Sequence, residues 1–231
     1  MTVSGKRTYN SDLRAEQARR TRKQVVDAAA GLFAAQGFAG TTIDAIATAA
    51  GVSRKTVFTA VPGGKTELLK LAYDFTLAGD DEPVPLVARE GIQSLIREPD
   101  PYRRMIAYAR FVTDNGSRIA PLYLALRGAA EVDPEARKLY LRWEGERRMA
   151  MLNGPIPGLI AEGALRSDIT PDEAADILGL FVMPSTYHQL VTEGGWTDER
   201  FSEWLGQTIC TLLLKPAPSD SPADFSQDSD G

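Results

Sequence analysis

The chain has 231 residues, of which 43% are hydrophobic, and a formal net charge of −5. This length fits one large domain or two modest ones, and the composition is that of a globular protein. No apolar run is long enough to span a bilayer, and the N-terminal segment lacks the apolar core of a secretory signal. The single cysteine, Cys210, excludes an intrachain disulfide and a multi-cysteine metal site. A cytoplasmic location is therefore expected, and no metal or cofactor is predicted.

The positive charges are concentrated near the N-terminus. Residues 1–65 hold ten lysines and arginines but only four acidic residues, which leaves six positive charges there and eleven negative charges on the remainder. This asymmetry predicts a basic head that meets phosphate groups and an acidic body that does not. An unevenly charged, solvated surface is the alternative explanation of the charge alone.

Residues 42–61 have the pattern of a helix-turn-helix. Thr41 is predicted to cap the first of two short helices, Gly51 to form the turn, and Ser53 to cap the second helix. Apolar residues recur at helical spacing on the inner face of each helix, which leaves polar and basic side chains outside. Another helix precedes this motif and is predicted to end at Gly37.

The second helix of the motif is predicted to enter a DNA major groove. Its first turn presents arginine, lysine and threonine, which bind guanine, phosphate and the thymine methyl group. Basic side chains at a helix N-terminus are electrostatically disfavoured without an anion nearby, which favours DNA contact over an ordinary solvated helix. The predicted DNA-binding residues are Thr41, Thr42, Ser53, Arg54, Lys55, Thr56, Phe58, Thr59 and Lys65.

Residues 20–69, RTRKQVVDAAAGLFAAQGFAGTTIDAIATAAGVSRKTVFTAVPGGKTELL, resemble the DNA-binding domain of the TetR family of transcriptional regulators. The shared marks are a first helix ending in LF and GF, the segment TTIDAIATAAGVS, the TVF that follows, and a helix start of the form KxxLL. The resemblance implies a three-helix head, a connecting fourth helix, and an all-helical effector-binding body that forms a homodimer. Where the family commonly has a phosphate-binding tyrosine, this chain has Phe58, and Ala60 occupies a position that is usually aromatic or histidine.

The remainder of the chain contains helical patterns only, so an all-α fold is predicted throughout. Gly116 is predicted to end one body helix and Pro184 to kink the penultimate one. The predicted domains are a mobile arm at residues 1–16, a helix-turn-helix domain at 17–79, an effector-binding and dimerisation domain at 80–215, and a disordered acidic tail at 216–231.

Aromatic and polar residues on several body helices are candidates for the effector pocket that the resemblance implies. Aromatic residues at helical spacing are more often plain core, so core burial is the alternative for each of them. Two arginines in the set would favour an acidic ligand if they were buried without a partner. The candidates are Arg104, Tyr108, Phe111, Tyr123, Arg127, Tyr140, Trp143, Phe181 and Met183.

The last helix is apolar over much of its girth, which predicts burial on two sides. The resemblance implies that this helix and its predecessor pair with a second copy in an isologous four-helix contact. The predicted interface residues are Ile177, Phe181, His188, Phe201, Trp204, Leu205, Ile209 and Leu212.

Together, the motif and the resemblance predict a ligand-responsive DNA-binding transcriptional regulator. The simplest form is a repressor that binds a palindromic operator as a homodimer and is released by a small-molecule effector. An effector-independent DNA-binding protein and a transcriptional activator are the alternatives. A helical enzyme is a remote alternative, because the sequence shows no Ser/His/Asp set, glycine-rich phosphate loop or metal-ligand cluster. The expected partners are double-stranded DNA, a second copy of the chain and a small molecule, with no membrane.

Overall fold

A computed structural model describes residues 4–82, 84 and 88–216 of the chain, with side chains from residue 13 onward. The fold is all-α, as predicted, and extended pairing among the described residues is limited to one isolated bridge between Leu165 and Leu214. Most of the predicted tail, residues 217–231, lies outside the described residues. None of the described helices is both long and apolar enough to cross a membrane. The helices are α1 (Ser4–Gly40), α2 (Ile43–Ala49), α3 (Arg54–Ala60), α4 (Gly64–Ala78), α5 (Glu90–Arg97), α6 (Pro101–Val132), α7 (Pro134–Asn153), α8 (Pro155–Ala161), α9 (Pro171–Phe181), α10 (Pro184–Tyr187), which continues as a π-helical segment (His188–Glu193), and α11 (Asp198–Leu213).

Helix α1 begins at Ser4, so the residues predicted as a mobile arm are helical from that point onward. Good helix formers from Leu13 to Glu16 extend the helix, and Glu16 forms an ion pair of 3.1 Å with Arg20 one turn later. The helix is interrupted at Gly37, where φ is 69° and ψ is −177°. Glycine adopts such a left-handed φ at the least cost, which explains why the predicted helix end falls there.

Helices α1 to α4 form the head around a small core. Phe33 of α1, Ile46 of α2 and Val57 of α3 are fully buried in it. The same cluster continues into the body, where it includes Leu126 of α6 and Leu139 of α7. The head is therefore held against the body by a shared apolar core as well as by the chain connection through α4.

Helix α6 runs through the position at which a helix end was predicted. Gly116 is helical and buried, and a Cβ at this residue would stand 2.6 Å from Cγ of Tyr187. The glycine therefore allows the close approach of an aromatic ring and does not end the helix. Pro121 is also accommodated inside α6, so the prediction of two separate helices here was wrong.

A second core lies within the body, among α6, α8, α9 and α11. It includes Met105, Leu178 and Leu205, all of which are fully buried. Helix α9 ends at Phe181, and Pro184 opens α10 at a first-turn position that needs no backbone N–H. The predicted kink within one helix is therefore a break between two helices.

Candidate DNA interface and body cavity

Two side-chain caps and a tight turn fix the geometry of the helix-turn-helix. The Thr42 hydroxyl accepts a hydrogen bond of 3.1 Å from the backbone N–H of Ala45, and that of Ser53 accepts one of 3.1 Å from Thr56. Gly51 has a φ of 63°, as the predicted turn requires. The cap of α2 is therefore Thr42 and not Thr41, one residue later than predicted.

Thr41 plays a different part from the one predicted. It is fully buried, and its hydroxyl donates a hydrogen bond of 2.8 Å to the carbonyl of Gly37. The side chain thus satisfies a carbonyl at the end of α1 and presents no surface to DNA. The prediction of a DNA contact at Thr41 was wrong, because a buried cap and an exposed one look alike in the sequence.

The remaining candidates of α3 form one exposed surface. Arg54 donates hydrogen bonds of 2.8 and 3.1 Å to the two carboxylate oxygens of Asp44, and its guanidinium lies 5.8 Å from the ring centroid of Phe58. Phe58 is 43% exposed. Exposed ion pairs of this kind contribute only about 0–1 kcal/mol, so Asp44 restrains Arg54 only weakly. Lys55 and Thr59 are exposed beside it.

Lys65 lies in the first turn of α4, next to the head. Its Nζ is 4.1 Å from the ring centroid of Phe38, and partial burial lowers the pKa of this lysine. Backbone N–H groups in the first turn of a helix lack intrahelical partners and favour an anion. The phosphate contact of Lys65 stays a prediction, with which this position at the start of α4 is compatible.

Three of the five basic side chains that the structure describes in α1, those of Arg19, Arg20 and Lys23, form ion pairs within the protein. Arg19 forms an ion pair of 2.8 Å with Asp81 and so connects α1 to the segment after α4. The hydrogen bond from Arg19 lowers the pKa of Asp81. Lys23 forms a second pair of 2.6 Å with Asp27. These pairs reduce the positive charge that α1 offers to DNA.

A cavity of about 290 Å³ lies in the body between α4, α6, α7 and α10, near the lower end of the range for ligand sites, about 300–1,000 Å³. Four of the sequence candidates, Tyr108, Phe111, Tyr123 and Trp143, lie in its wall. The full lining consists of Tyr73, Asp74, Leu77, Tyr108, Phe111, Val112, Asn115, Gly116, Ile119, Tyr123, Trp143, Glu144, Glu146, Arg147, Ala150, Met151, Val182, Pro184 and Tyr187.

The two candidate arginines are not in the cavity. Arg104 is buried, but it donates hydrogen bonds of 2.7 Å to both carboxylate oxygens of Glu162 and one of 2.9 Å to the carbonyl of Glu98. Arg127 is exposed. Neither side chain therefore offers an uncompensated buried charge, so the condition under which these arginines would favour an acidic ligand is not met.

Three further candidates also lie outside the cavity wall. The Tyr140 hydroxyl is 3.4 Å from that of Tyr123, which does line the cavity. The Phe181 ring meets Trp204 edge to face, with a centroid distance of 6.1 Å. Met183 precedes the first residue of α10, and its side chain makes no capping hydrogen bond there. Helical spacing alone does not distinguish these residues from those that line the cavity.

The sequence missed the charged groups of the cavity, which include Glu144 and Arg147. The Glu144 carboxylate accepts hydrogen bonds from the Tyr123 hydroxyl at 3.2 Å and from Arg147 at 2.8 Å. Arg147 also donates to the carbonyl of Gly179 at 2.7 Å, which connects α7 to α9. Burial raises the pKa of Tyr108 to about 12, so its hydroxyl is neutral at physiological pH. An i, i+3 pair of opposite charges on a helix usually indicates a solvated face, so no sequence signal identified Glu144 and Arg147.

The predicted dimer residues divide between the inside and the outside of the protomer. Phe201, Leu205 and Ile209 are fully buried within the chain, in the body core, so they are not available to a second copy. Leu180, which is not in the predicted interface set, is 62% exposed on α9. The predicted residues that remain partly exposed are Ile177, Phe181, His188, Trp204 and Leu212.

Comparison with known proteins gives a family match in the head and structural matches over most of the chain. Residues 25–71 match the family described as bacterial regulatory proteins, tetR family, and no curated protein sequence matches. The fold is similar to that of NalD, the secondary repressor of the MexAB-OprM multidrug efflux pump in Pseudomonas aeruginosa (18% identity, 87% of this chain and 100% of that chain, TM-score 0.64). It is also similar to a TetR transcriptional regulator from Chloroflexus aurantiacus (20% identity, 87% and 100%, TM-score 0.62). A third similar structure is the SmeT–triclosan complex (18% identity, 90% and 100%, TM-score 0.62).

The family match is confined to the head, whereas the structural likeness extends over most of the chain. The match covers the helix-turn-helix and the start of α4, and the structural likeness covers the head and the helical body together. The matched family consists of DNA-binding regulators of transcription and not of enzymes. The chain is therefore similar to the tetR family of bacterial regulatory proteins, in sequence over residues 25–71 and in fold over most of its length.

Proposed function

We propose that this protein is a homodimeric repressor that binds a palindromic operator and is released by a small molecule bound in the body cavity. The observation that carries the proposal is the course of α4. Leu68 and Leu69 near its start are fully buried in the core of the head, whereas Tyr73 and Leu77 line the cavity. A ligand in the cavity therefore bears on the helix that connects to the recognition surface. In this proposal the head has two positions relative to the body, one that binds the operator and one that does not. The ligand releases DNA because it binds the second arrangement more tightly than the first.

On DNA, the predicted contact residues of the head have two roles, base contact and phosphate contact. Arg54 and Lys55 lie at the N-terminal end of the helix, where base contacts concentrate in helix-turn-helix proteins. Thr56 and Thr59 extend the same surface along the helix. Thr42, Ser53 and Lys65, which lie at the N-terminal ends of α2, α3 and α4, bind phosphates in this proposal. A symmetric pair of heads reads two half-sites about 34 Å apart, which corresponds to one helical turn of DNA.

Selection from a random pool of double-stranded DNA tests the DNA-binding part of the proposal. The expected product is a palindrome whose half-sites are centred about one helical turn apart. Fluorescence anisotropy on that site, with a collection of small molecules added, then tests release. Enrichment of no palindrome would contradict the operator model, and release by none of the compounds would favour an effector-independent DNA-binding protein.

A substitution that fills the cavity is expected to separate DNA binding from effector response. Ala150 lines the cavity on α7 and is itself exposed, so we expect tryptophan at this position to obstruct the space that a ligand needs. Ala150→Trp should keep operator affinity within a factor of two and lose the response to every releasing compound, as measured by anisotropy. Met149→Trp, at a neighbouring position that is 50% exposed and outside the cavity, is the matched control and should respond normally. Normal release from the Ala150→Trp protein would place the effector elsewhere.

A charge on the outer face of α9 is expected to dissociate the dimer. Leu180 is the exposed apolar residue of that face, beside the partly exposed Ile177 and Phe181. Leu180→Arg should shift the mass in sedimentation equilibrium from dimer to monomer. It should also abolish tight operator binding, because a monomer has one recognition helix and binds only one half-site. The control is Leu141→Arg on α7, where leucine is 59% exposed on a different helix. A Leu180→Arg protein that remains dimeric would exclude α9 from the interface.

A further inference from the structure

The hydroxyl groups of α3 and of its cap already have partners within the protein. The Thr59 hydroxyl donates a hydrogen bond of 3.0 Å to the carbonyl of Lys55, one turn earlier. The Ser53 hydroxyl accepts one of 3.1 Å from the backbone N–H of Thr56, and the hydroxyl oxygens of these two residues lie 2.8 Å apart. Hydrogen bonds from α3 to base edges therefore fall mainly to its two basic side chains.

Arg54 keeps one edge of its guanidinium free. Both of its hydrogen bonds to the Asp44 carboxylate start from the same nitrogen, Nη1, and the side chain is 60% exposed. Within the part of the chain that the structure describes, Nε and Nη2 of Arg54 have no hydrogen-bond partner. These two nitrogens can donate together to O6 and N7 of a guanine, which is the commonest specific contact of arginine in the major groove.

Phe58 lies one helical turn after Arg54, on the same side of α3. Its ring centroid is 5.8 Å from the Arg54 guanidinium, and the residue is 43% exposed. The core of the head is built from other residues, such as Phe33, Ile46 and Val57. Among the described side chains of α2, α3 and α4, Phe58 is the large apolar one that is exposed to this degree. The ring therefore contributes little to the packing of the head and is presented beside Arg54 to the groove that α3 enters.

The chemistry of a phenyl ring restricts what Phe58 can contact on DNA. The ring has no group that donates a hydrogen bond to a phosphate or to a polar base edge. In the major groove, the C5-methyl group of thymine is the apolar group of the base edges, and phenylalanine is one of the side chains that contact it. Residues one turn apart on a helix are separated by about 5–6 Å, and successive base pairs by about 3.4 Å. Phe58 and Arg54 should therefore reach base pairs that are at most about two steps apart.

We propose that Phe58 determines part of the operator sequence by contacting the methyl group of a thymine within about two base pairs of the guanine that Arg54 binds. The inference rests on the proposed function in one respect, namely that α3 enters the major groove of an operator. Base contacts specify a sequence, whereas phosphate contacts only position the protein. Phe58 accordingly adds a preference for thymine to the hydrogen-bonded readout by Arg54.

Replacing thymine by uracil tests the contact without any change to the protein. Uracil lacks the C5-methyl group and pairs with adenine as thymine does. The full-length protein is titrated, by fluorescence anisotropy at fixed salt, with the selected palindrome carrying uracil at one thymine position in both half-sites. At one position the replacement should weaken binding by about fifteenfold, or about fourfold for each half-site, because one buried methyl group is lost.

The same measurement fixes the distance to the guanine. Arg54→Ala identifies that guanine as the position at which base preference is lost. A palindrome with no thymine within about two base pairs of it, or a scan in which no replacement weakens binding more than twofold, would overturn the assignment.

The variant that isolates the ring is Phe58→Ala, which should bind the thymine and uracil duplexes with affinities within a factor of two of each other. Thr59→Ser is the matched control on the next exposed position, since it removes a methyl group and keeps the hydroxyl that donates to Lys55. It should retain the full preference for thymine. Phe58→Leu, which keeps a smaller apolar side chain, should retain part of the preference and replaces the alanine variant if that protein does not fold.

The outcomes separate this inference from the proposed function. A thymine preference that persists in Phe58→Ala, or that is lost in Thr59→Ser, would assign the methyl contact to another side chain. Specific binding to a palindrome that tolerates every uracil replacement would overturn the role of Phe58 alone. Failure to select any specific sequence would contradict the proposed function and this inference together.

Discussion

Replacing Arg54 and Lys55 together by alanine is expected to remove most sequence-specific DNA binding while leaving the fold unchanged. Both side chains are exposed in the first turn of α3, and neither contributes to the head core. Each base contact of an arginine or lysine contributes about 1–3 kcal/mol of discrimination, so the pair should weaken binding to the selected palindrome by at least roughly thirtyfold. Anisotropy at fixed salt, with specific and scrambled duplexes, measures this ratio.

The matched control for this double variant removes the same two charges from the body. Arg137 and Lys138 are exposed near the start of α7, far along the chain from α3. Their replacement by alanine should leave the ratio of specific to non-specific affinity unchanged. If the Arg54 and Lys55 variant lowered affinity for both duplexes by the same factor, the two side chains would bind phosphates and not bases.

Gly116→Ala is expected to destabilise the protein strongly for a single added methyl group. The new Cβ would lie 2.6 Å from Cγ of Tyr187, a separation that real Cβ atoms do not show. The ring cannot easily move away, because Tyr187 is buried, donates a hydrogen bond of 2.7 Å to Asp198 and meets Phe201 edge to face at 5.3 Å. Overpacking of this kind costs about 1–3 kcal/mol. Thermal unfolding at fixed protein concentration should show Tm falling by about 2–4 °C per kcal/mol.

Gly128 provides the control on the same helix. A Cβ at Gly128 would meet no atom within 4 Å, and alanine is the better helix former. Gly128→Ala should therefore raise stability by about 0.5–1 kcal/mol. The cost of Gly116→Ala should also shrink in a Tyr187→Ala background, since the clashing ring is then absent. An equal cost in both backgrounds would mean that the ring is not the cause.

The head was largely predictable because its determinants are local. The turn at Gly51 and the cap at Ser53 depend on residues within one helical turn, and the structure has both. The misplaced cap of α2 shows the limit of local reasoning. Thr41 and Thr42 are the same residue type at adjacent positions, and only the burial of Thr41 against the end of α1 distinguishes them.

The body was less predictable because its determinants are distant in the chain. Arg104 was placed in the pocket by its position on a helix, but its partner Glu162 lies 58 residues later. Similarly, Arg147 finds an acceptor in Gly179, 32 residues away. Such pairs decide whether a buried arginine is free to bind an acidic ligand, and they cannot be read from positions close in the sequence.

By itself, the sequence determined the all-α class, the helix-turn-helix and the resemblance to the TetR family, since helical period, caps and turns are encoded by residues three or four positions apart. The tertiary structure decided which side of each apolar stripe faces inward. Phe201, Leu205 and Ile209 are directed into the protomer, and Leu180 remains outside. It also decided that Gly116 admits a ring where a helix end was expected, and that Glu144 lies in the cavity wall. These outcomes depend on what lies opposite each residue in space, which no local pattern contains.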